Sequence, residues 1–367
     1  MLCLPAYNNS SDNHSLPLDS SSTSLFHSTS ARVCVTFLLL PIPIFAVLGN
    51  LLVAVSVACF RKLRTPTNAF AVSLAMADFL VAVLVMPFSL ARSVDHWRFG
   101  RTFCTAHFLL DVTLCTSSIF NLSCVALDRY LAVCEPLHYP ARMARRRVIL
   151  LLLLCWILPL LISSLCVFLG MYSGPAGPGW YCGRQEHMHR QSCLAAFYTP
   201  YAVASSTLSF FIPVGFMIFA YGRIFLAANR QARWIHAMEH QAGQLHDSRP
   251  RQGHQNSMRK ERKAARMLGL IMGVFLLCWF PFFTVNMVHP LWGYIVSPVL
   301  LEAFLWLGYA NSSLNPFLYA SFNRHFRCAF TSILGSAMLG RKLGACLEYL
   351  RKGREAQATV APATISN

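Results

Sequence analysis

Seven long apolar runs dominate the chain, at about residues 34–60, 68–92, 104–134, 147–171, 197–227, 263–289 and 297–321. Each has at least the ~20 residues that a helix needs to cross the roughly 30 Å hydrocarbon core of a bilayer. Inside lipid every backbone N–H and C=O must be satisfied within the protein, and for isolated runs of this length only a helix does that. The expected fold class is therefore an all-α membrane protein, a seven-transmembrane helix bundle. Charge agrees: 12% of the 367 residues are Asp, Glu, Lys or Arg, against about 25% in an ordinary soluble domain.

The basic residues fix an orientation, because cytoplasmic loops carry the Lys/Arg excess. Arg61, Lys62 and Arg64 follow span 1, and Arg142, Arg145, Arg146 and Arg147 precede span 4. Many more lie between Arg223 and Arg266, and Arg324, Arg327, Arg341 and Lys342 follow span 7. The other side holds only Arg32, Arg92, Arg98, Arg101, Arg184 and Arg190. The N-terminus is thus expected outside, at the plasma membrane. The net charge of +17 is read as topology rather than as a nucleic-acid surface.

Residues 1–32 form a polar tail with N-x-S sequons at Asn8, Asn9 and Asn13, expected to be extracellular and glycosylated. Residues 33–334 make up the helical domain and 335–367 a cytoplasmic tail. A short amphipathic helix on the membrane surface is expected after Asn323. The polar connection 228–262 is read as having no fold of its own. The fourteen Cys contain no CxxC pair, and no His-rich metal set or nucleophile–base pair lies within the spans. Neither a cofactor nor enzymatic chemistry is expected.

Ionisable groups inside a membrane are costly and point to function. Asp78 lies mid-span 2, where Ser118, Asn311 and Asn315 can face it. Such oxygens suit a hard monovalent cation or a proton, or simply a polar packing network. Asp111 lies about two turns into span 3 and has no basic neighbour in sequence. A carboxylate there expects a cation, either a ligand ammonium or an internal partner such as Arg92 or Arg184. Trp279, Phe282, Phe283, Trp306 and Tyr309 recur at helical spacing in the outer halves of spans 6 and 7. With Asp111 they suit ammonium recognition through charge and cation–π attraction, although such stripes also serve as core.

Glu302 shares the face of Trp306 and Tyr309 and stands about 10 Å above Tyr309 at ~1.5 Å per residue. It is either a solvated helix end or a second anion at the mouth of a pocket. Two separated anions would select ligands with two or more ammonium groups, such as diamines and polyamines. Ser205, Ser206 and Ser209 on span 5 offer hydroxyls to a ligand, or small side chains for close helix packing. An aromatic monoamine held by Asp111, with Ser205 and Ser209 on its ring, is the second reading. A cation channel or transporter is the third, and it would require inverted repeats or broken helices near the midplane, which the sequence does not display.

The chain resembles the rhodopsin-like G-protein-coupled receptors over Val33 to Phe330. The resemblance rests on Gly49-Asn50, Leu74-Ala75-Met76-Ala77-Asp78, Asp128-Arg129-Tyr130, Trp156, Pro213, Tyr221, Cys278-Trp279-Phe280-Pro281 and Asn315-Pro316-Phe317-Leu318-Tyr319, in order and in separate spans. Asp111, eighteen residues before Arg129, and the Trp306-x-Gly308-Tyr309 pattern resemble the aminergic branch. Leu63-Arg64-Thr65-Pro66-Thr67-Asn68, Val85-Met86-Pro87-Phe88-Ser89 and Glu261-Arg262-Lys263-Ala264 are similar to trace-amine-associated receptors, although Asn323-Arg324-His325-Phe326 departs from their pattern.

That resemblance implies an amine ligand, a heterotrimeric G protein that raises cyclic AMP, arrestin as a further partner and an olfactory role. It implies that Asp111 binds the ammonium and that Asp78, Ser118, Asn311 and Asn315 hold a sodium ion. It makes Pro213, Ile119 and Phe275 a packing relay under Trp279. Asp128, Arg129, Tyr130 and Glu261 become the cytoplasmic latch, with Tyr221 and Tyr319 stabilising its open form. It implies the disulfide Cys104–Cys193 and, in the trace-amine subfamily, a second between Cys3 and Cys182.

Overall fold

The computed structural model describes residues 29–95, 97–172, 199–243, 252–288, 291, 296–322 and 324–338. The sequons at Asn8, Asn9 and Asn13, with Cys3, Cys182 and Cys193, lie outside the described residues. Every regular element among the described residues is helical.

Helix α1 runs as Thr29–Leu39 and Pro41–Cys59. Helix α2 is Pro66–Leu80, a wider turn at Val81–Val85, then Met86–Val94. Helices α3 (Gly100–Cys134) and α4 (Arg145–Tyr172) follow. Helix α5 begins as Thr199–Ser206, widens at Thr207–Phe211 and continues as Ile212–Gly243. Helices α6 (Gln252–Val288), α7 (Pro298–Phe322) and α8 (Arg324–Met338) complete the chain.

Six helices are long and apolar enough to cross a membrane by length and composition. Helix α7, with 25 residues, has the length but carries Glu302, Asn311, Ser312, Ser313 and Asn315. Leu-rich exteriors, such as Leu150, Leu153, Leu161, Phe219 and Leu277, are exposed, as suits a surface whose solvent is lipid.

The packing places α3 at the centre. It contacts α2, α4 and α5, while α7 packs on α6 and α1. Where α1 meets α7, a Cβ on Gly49 would stand 2.7 Å from Pro316 Cγ, so glycine permits that approach. One cluster fills the interior beneath the outer half: Ile119, Phe210, Phe275, Trp279, Phe283, Trp306 and Tyr309 are all buried in it.

Two features differ from the sequence reading. First, both wide turns precede or include a position four residues ahead of a proline. Pro87 and Pro213 have no N–H to give the carbonyls of Val83 and Ser209, and the helix widens there by one residue instead of breaking. Second, much of 228–262 is not a structureless loop. Helix α5 continues to Gly243 and α6 starts at Gln252. Ala, Gln, Arg, Lys, Met and Glu predominate there, and they are good helix formers even without an apolar face to bury.

The expected amphipathic helix is present as α8. Phe326, Ala329 and Phe330 are buried on one face, and Phe326 stacks on Tyr319 with ring centroids 5.4 Å apart.

Candidate functional site

The site begins with Asp111 on α3, a half-buried carboxylate. Tyr309 Oη of α7 donates to its Oδ2 at 2.7 Å, and Cys115 Sγ donates to Oδ1 at 3.3 Å. No Lys or Arg among the described residues forms an ion pair with it; Arg92 pairs elsewhere, and Arg184 lies outside the described residues. A charged acceptor held by one phenol and one weak thiol donor retains lone pairs for a cationic donor.

Behind Tyr309 is a relay that the sequence reading missed. Ser89 Oγ lies 3.2 Å from Tyr309 Oη and 3.4 Å from His107 Nε2, and His107 Nε2 lies 3.2 Å from the Val85 carbonyl. The carbonyl only accepts, so His107 carries its proton on Nε2 and shares it between Val85 and the more distant Ser89 hydroxyl; since Tyr309 gives its own proton to Asp111, Ser89 donates to the Tyr309 oxygen. The series of donors therefore runs from His107 through Ser89 and Tyr309 to the carboxylate. His107 is buried against the rings of Phe88 and Trp97.

The five aromatic side chains singled out in spans 6 and 7 pack on one another. Trp279 meets Phe282, Phe283 and Tyr309 with centroids 6.1, 5.7 and 6.5 Å apart, and Trp306 meets Tyr309 at 5.4 Å. Gly308 makes this possible, since a Cβ there would fall 2.6 Å from the Trp279 ring. On the opposite side, Asn286 Nδ2 donates to Ser206 Oγ at 3.1 Å. Ser209 is buried and its hydroxyl has no hydrogen-bond partner among the described residues, whereas Ser205 turns back to the Ala202 carbonyl at 3.2 Å. Ser206 is thus tied to Asn286 of α6, and Ser205 is committed to its own helix.

Glu302 is neither a solvated helix end nor a free second anion. Arg92 Nη2 of α2 donates to its two carboxylate oxygens at 3.3 and 3.4 Å, and Ser93 Oγ donates to Oε1 at 2.5 Å. The indole N–H of Trp306 donates to Ser93 Oγ at 3.0 Å. The Arg92 and Glu302 side chains are 22% and 19% exposed, so the pair is screened only in part. Ser89, Arg92 and Ser93 stand three and four residues apart. That polar stripe in an apolar run was the signal in the sequence for both networks.

Deeper in the bundle, Asp78 is completely buried. It accepts from Ser118 at 3.0 Å and Ser312 at 2.9 Å on Oδ1, and from Asn315 Nδ2 at 2.7 Å on Oδ2. Three of the four expected members meet there, and Ser312 is an addition. Asn311 is buried, but its amide makes no hydrogen bond among the described residues. Ile119 and Phe275 are buried in the same cluster, with Pro213 also buried.

Toward the C-terminal end of α3 Arg129 donates to Asp128 through Nε at 2.9 Å and through Nη2. Tyr139, from the turn after α3, donates to the other Asp128 oxygen at 2.9 Å. Tyr130 packs on Phe219 with centroids 6.3 Å apart. Glu261 lies on α6, but its side chain is outside the described residues. Cys104 is disulfide-bonded, and its partner lies outside them too. Tyr221 is half-buried on α5, and Tyr319 is held against α8.

The comparisons with known proteins agree with this geometry. The model of the 7 transmembrane receptor (rhodopsin family) matches residues 49–319. The human 5-hydroxytryptamine receptor 4 is 45% identical over 320 residues, covering 84% of this chain and 81% of that receptor. The octopamine receptor beta-2R of Chilo suppressalis is 40% identical over 327 residues, covering 83% and 80%. The human trace amine-associated receptor 1 is 37% identical over 325 residues, covering 88% and 94%. Trace-amine receptors are therefore one of several amine-receptor groups to which the chain is similar, and the chain belongs to the rhodopsin family of seven-transmembrane G-protein-coupled receptors, on its aminergic branch.

Proposed function

We propose that the chain is a plasma-membrane receptor, with its N-terminus outside, for an aromatic monoamine. The observation that carries this reading is the Asp111 carboxylate, supported by Tyr309 and Cys115, with Trp279 and Trp306 packed on Tyr309 and Phe282 and Phe283 packed on Trp279. The ammonium pairs with Asp111. The ring lies along the aromatic wall, toward Ser209 and the Ser206–Asn286 pair, where a ring hydroxyl meets groups able to donate or accept. Two relatives are named for 5-hydroxytryptamine and octopamine, both aromatic monoamines, which supports the same reading.

A ligand with two ammonium groups needs Glu302 as its second anion, and Arg92 already engages Glu302. The monoamine reading is preferred for that reason. The output is a heterotrimeric G protein that raises cyclic AMP, engaged when the inner ends of α3 and α6 separate, with arrestin as a later partner. An olfactory role rests on the trace-amine resemblance alone. The Asp78, Ser118, Ser312 and Asn315 set, with the unbonded Asn311 amide beside it in sequence, fits a sodium ion by its hard oxygen donors.

The test is cyclic AMP in cells expressing the chain, across aromatic monoamines and linear diamines. The reading predicts a response to at least one monoamine. A response confined to diamines would reject it.

A further inference from the structure

Glu302 and Asp111 are two anions on one wall of the outer bundle. Glu302 lies seven residues before Tyr309, about 10 Å along the helix axis, and Tyr309 donates to Asp111. That arrangement is what a linear diamine would need, with one ammonium at each carboxylate. A guanidinium of the protein itself stands at the outer one.

We propose that Arg92 is the residue that determines ligand charge: its guanidinium takes the place of a second ligand ammonium at Glu302 and restricts the receptor to ligands with a single ammonium. The proposal deepens the monoamine reading above and rests on it.

Three observations support it. Arg92 reaches both oxygens of Glu302, at 3.3 and 3.4 Å, so neither oxygen is left for a further cation without competition. The carboxylate is fixed rather than free to turn aside, because Ser93 donates to it at 2.5 Å and is itself held by the Trp306 indole at 3.0 Å. Both charged side chains are mostly covered. Charge balance then follows. Arg92, Glu302 and Asp111 together carry one net negative charge, which one ammonium neutralises. A diamine would have to displace the guanidinium and leave it partly buried and unpaired, a costly outcome. Specificity of this kind comes from a repulsive element against the wrong ligand as much as from attraction to the right one.

The experiment reads cyclic AMP dose responses to aromatic monoamines and to linear diamines of increasing length. Surface expression is measured in parallel for wild type, Arg92→Gln, Arg92→Met and Arg92→Lys. Loss of the guanidinium in Arg92→Gln, or in the longer Arg92→Met, is expected to raise diamine potency roughly tenfold or more, the scale of one freed charge–charge contact. The monoamine response should persist. Adding Glu302→Gln should remove the gain, and Arg92→Lys should remain selective like wild type.

If either neutral variant reaches the surface and answers monoamines, yet no diamine gains potency, the proposal is overturned and the monoamine reading stands. A gain that survives the added Glu302→Gln also overturns it, since Glu302 would not be the second anion. If wild type at the surface answers no monoamine, the reading itself fails and the proposal falls with it.

Discussion

Single residues decide the chemistry of the pocket. Asp111→Asn removes the charge but keeps the shape. Loss of one partner in a partly buried ion pair costs several kcal/mol, so agonist potency is expected to fall by about a hundredfold or more in a dose response. Ser89→Ala interrupts the series from His107 to Tyr309, and Tyr309 then loses the donor that polarises its own O–H toward Asp111. Potency should fall by roughly tenfold, the worth of about one hydrogen bond, and Ser89→Thr should restore it. An unchanged Ser89→Ala receptor would remove the relay from the account.

Gly308 offers a control of a different kind. Gly308→Ala sets a methyl 2.6 Å from the Trp279 ring, and overpacking of this sort costs about 1–3 kcal/mol. Gly215→Ala meets nothing within 4 Å and gains helix propensity instead. Melting of the detergent-solubilised receptor should drop for the first substitution and hold or rise for the second.

At this scale Asp111, Asp78 and the aromatic positions were legible in the sequence, because a carboxylate or a Trp-rich stripe stands out from apolar surroundings. The partner of Glu302 was not. Arg92 and Glu302 are 210 residues apart, and only the packing of α2 on α7 brings them together. Ser89, Ser312 and Asn286 went unnoticed because a lone Ser or Asn in a membrane helix is usually satisfied by its own backbone, as Ser205 is.

At the scale of elements, seven apolar runs predicted seven spans, and the described helices follow them closely. The wide turns in α2 and α5 were hidden, since Pro87 and Pro213 announce a lost hydrogen bond but not whether the helix kinks, breaks or widens. The α5 turn rotates the residues before it relative to those after it, and it carries Ser209 within it. The helical extensions of α5 and α6 were hidden for another reason: their polar sequence carries no sustained apolar stripe, so hydrophobic periodicity is silent and only propensity speaks.

Helix α8 permits a prediction on pH. Burial, and then the positive charges of Lys62 and Arg324, lower the His325 pKa from its ordinary value of 6.5. The folded state thus binds fewer protons at this site than the unfolded one, and stability falls as pH drops through about 6.5. The protection of amides within Arg324–Met338, taken relative to their intrinsic exchange rate at each pH, should fall on acidification from about pH 7.5 to about pH 5.5. His325→Gln should flatten that dependence.

Helix α3 runs through the whole molecule and carries Asp111, Ser118, Ile119 and Arg129 along one rod, from the proposed ligand site to the proposed coupling end. Between them lie the Asp78 set and the cluster of Phe210, Phe275 and Trp279. A ligand shifts such a molecule only by binding one arrangement better than the other. At the inner end, Asp128 is shared by Arg129 and Tyr139. Arg129→Ala is expected to abolish cyclic AMP signalling while leaving amine affinity within a few-fold of wild type. A parallel loss of binding would place Arg129 in the fold rather than in coupling.

Recognition of the ligand's charge by Asp111 is tested most directly by equilibrium binding on membranes. Wild type and Asp111→Asn are compared for an active aromatic amine and for its uncharged alcohol analogue. The substitution is expected to weaken the amine by about a hundredfold or more and to leave the alcohol nearly unchanged. Equal effects on both ligands, or no effect on the amine, would contradict it.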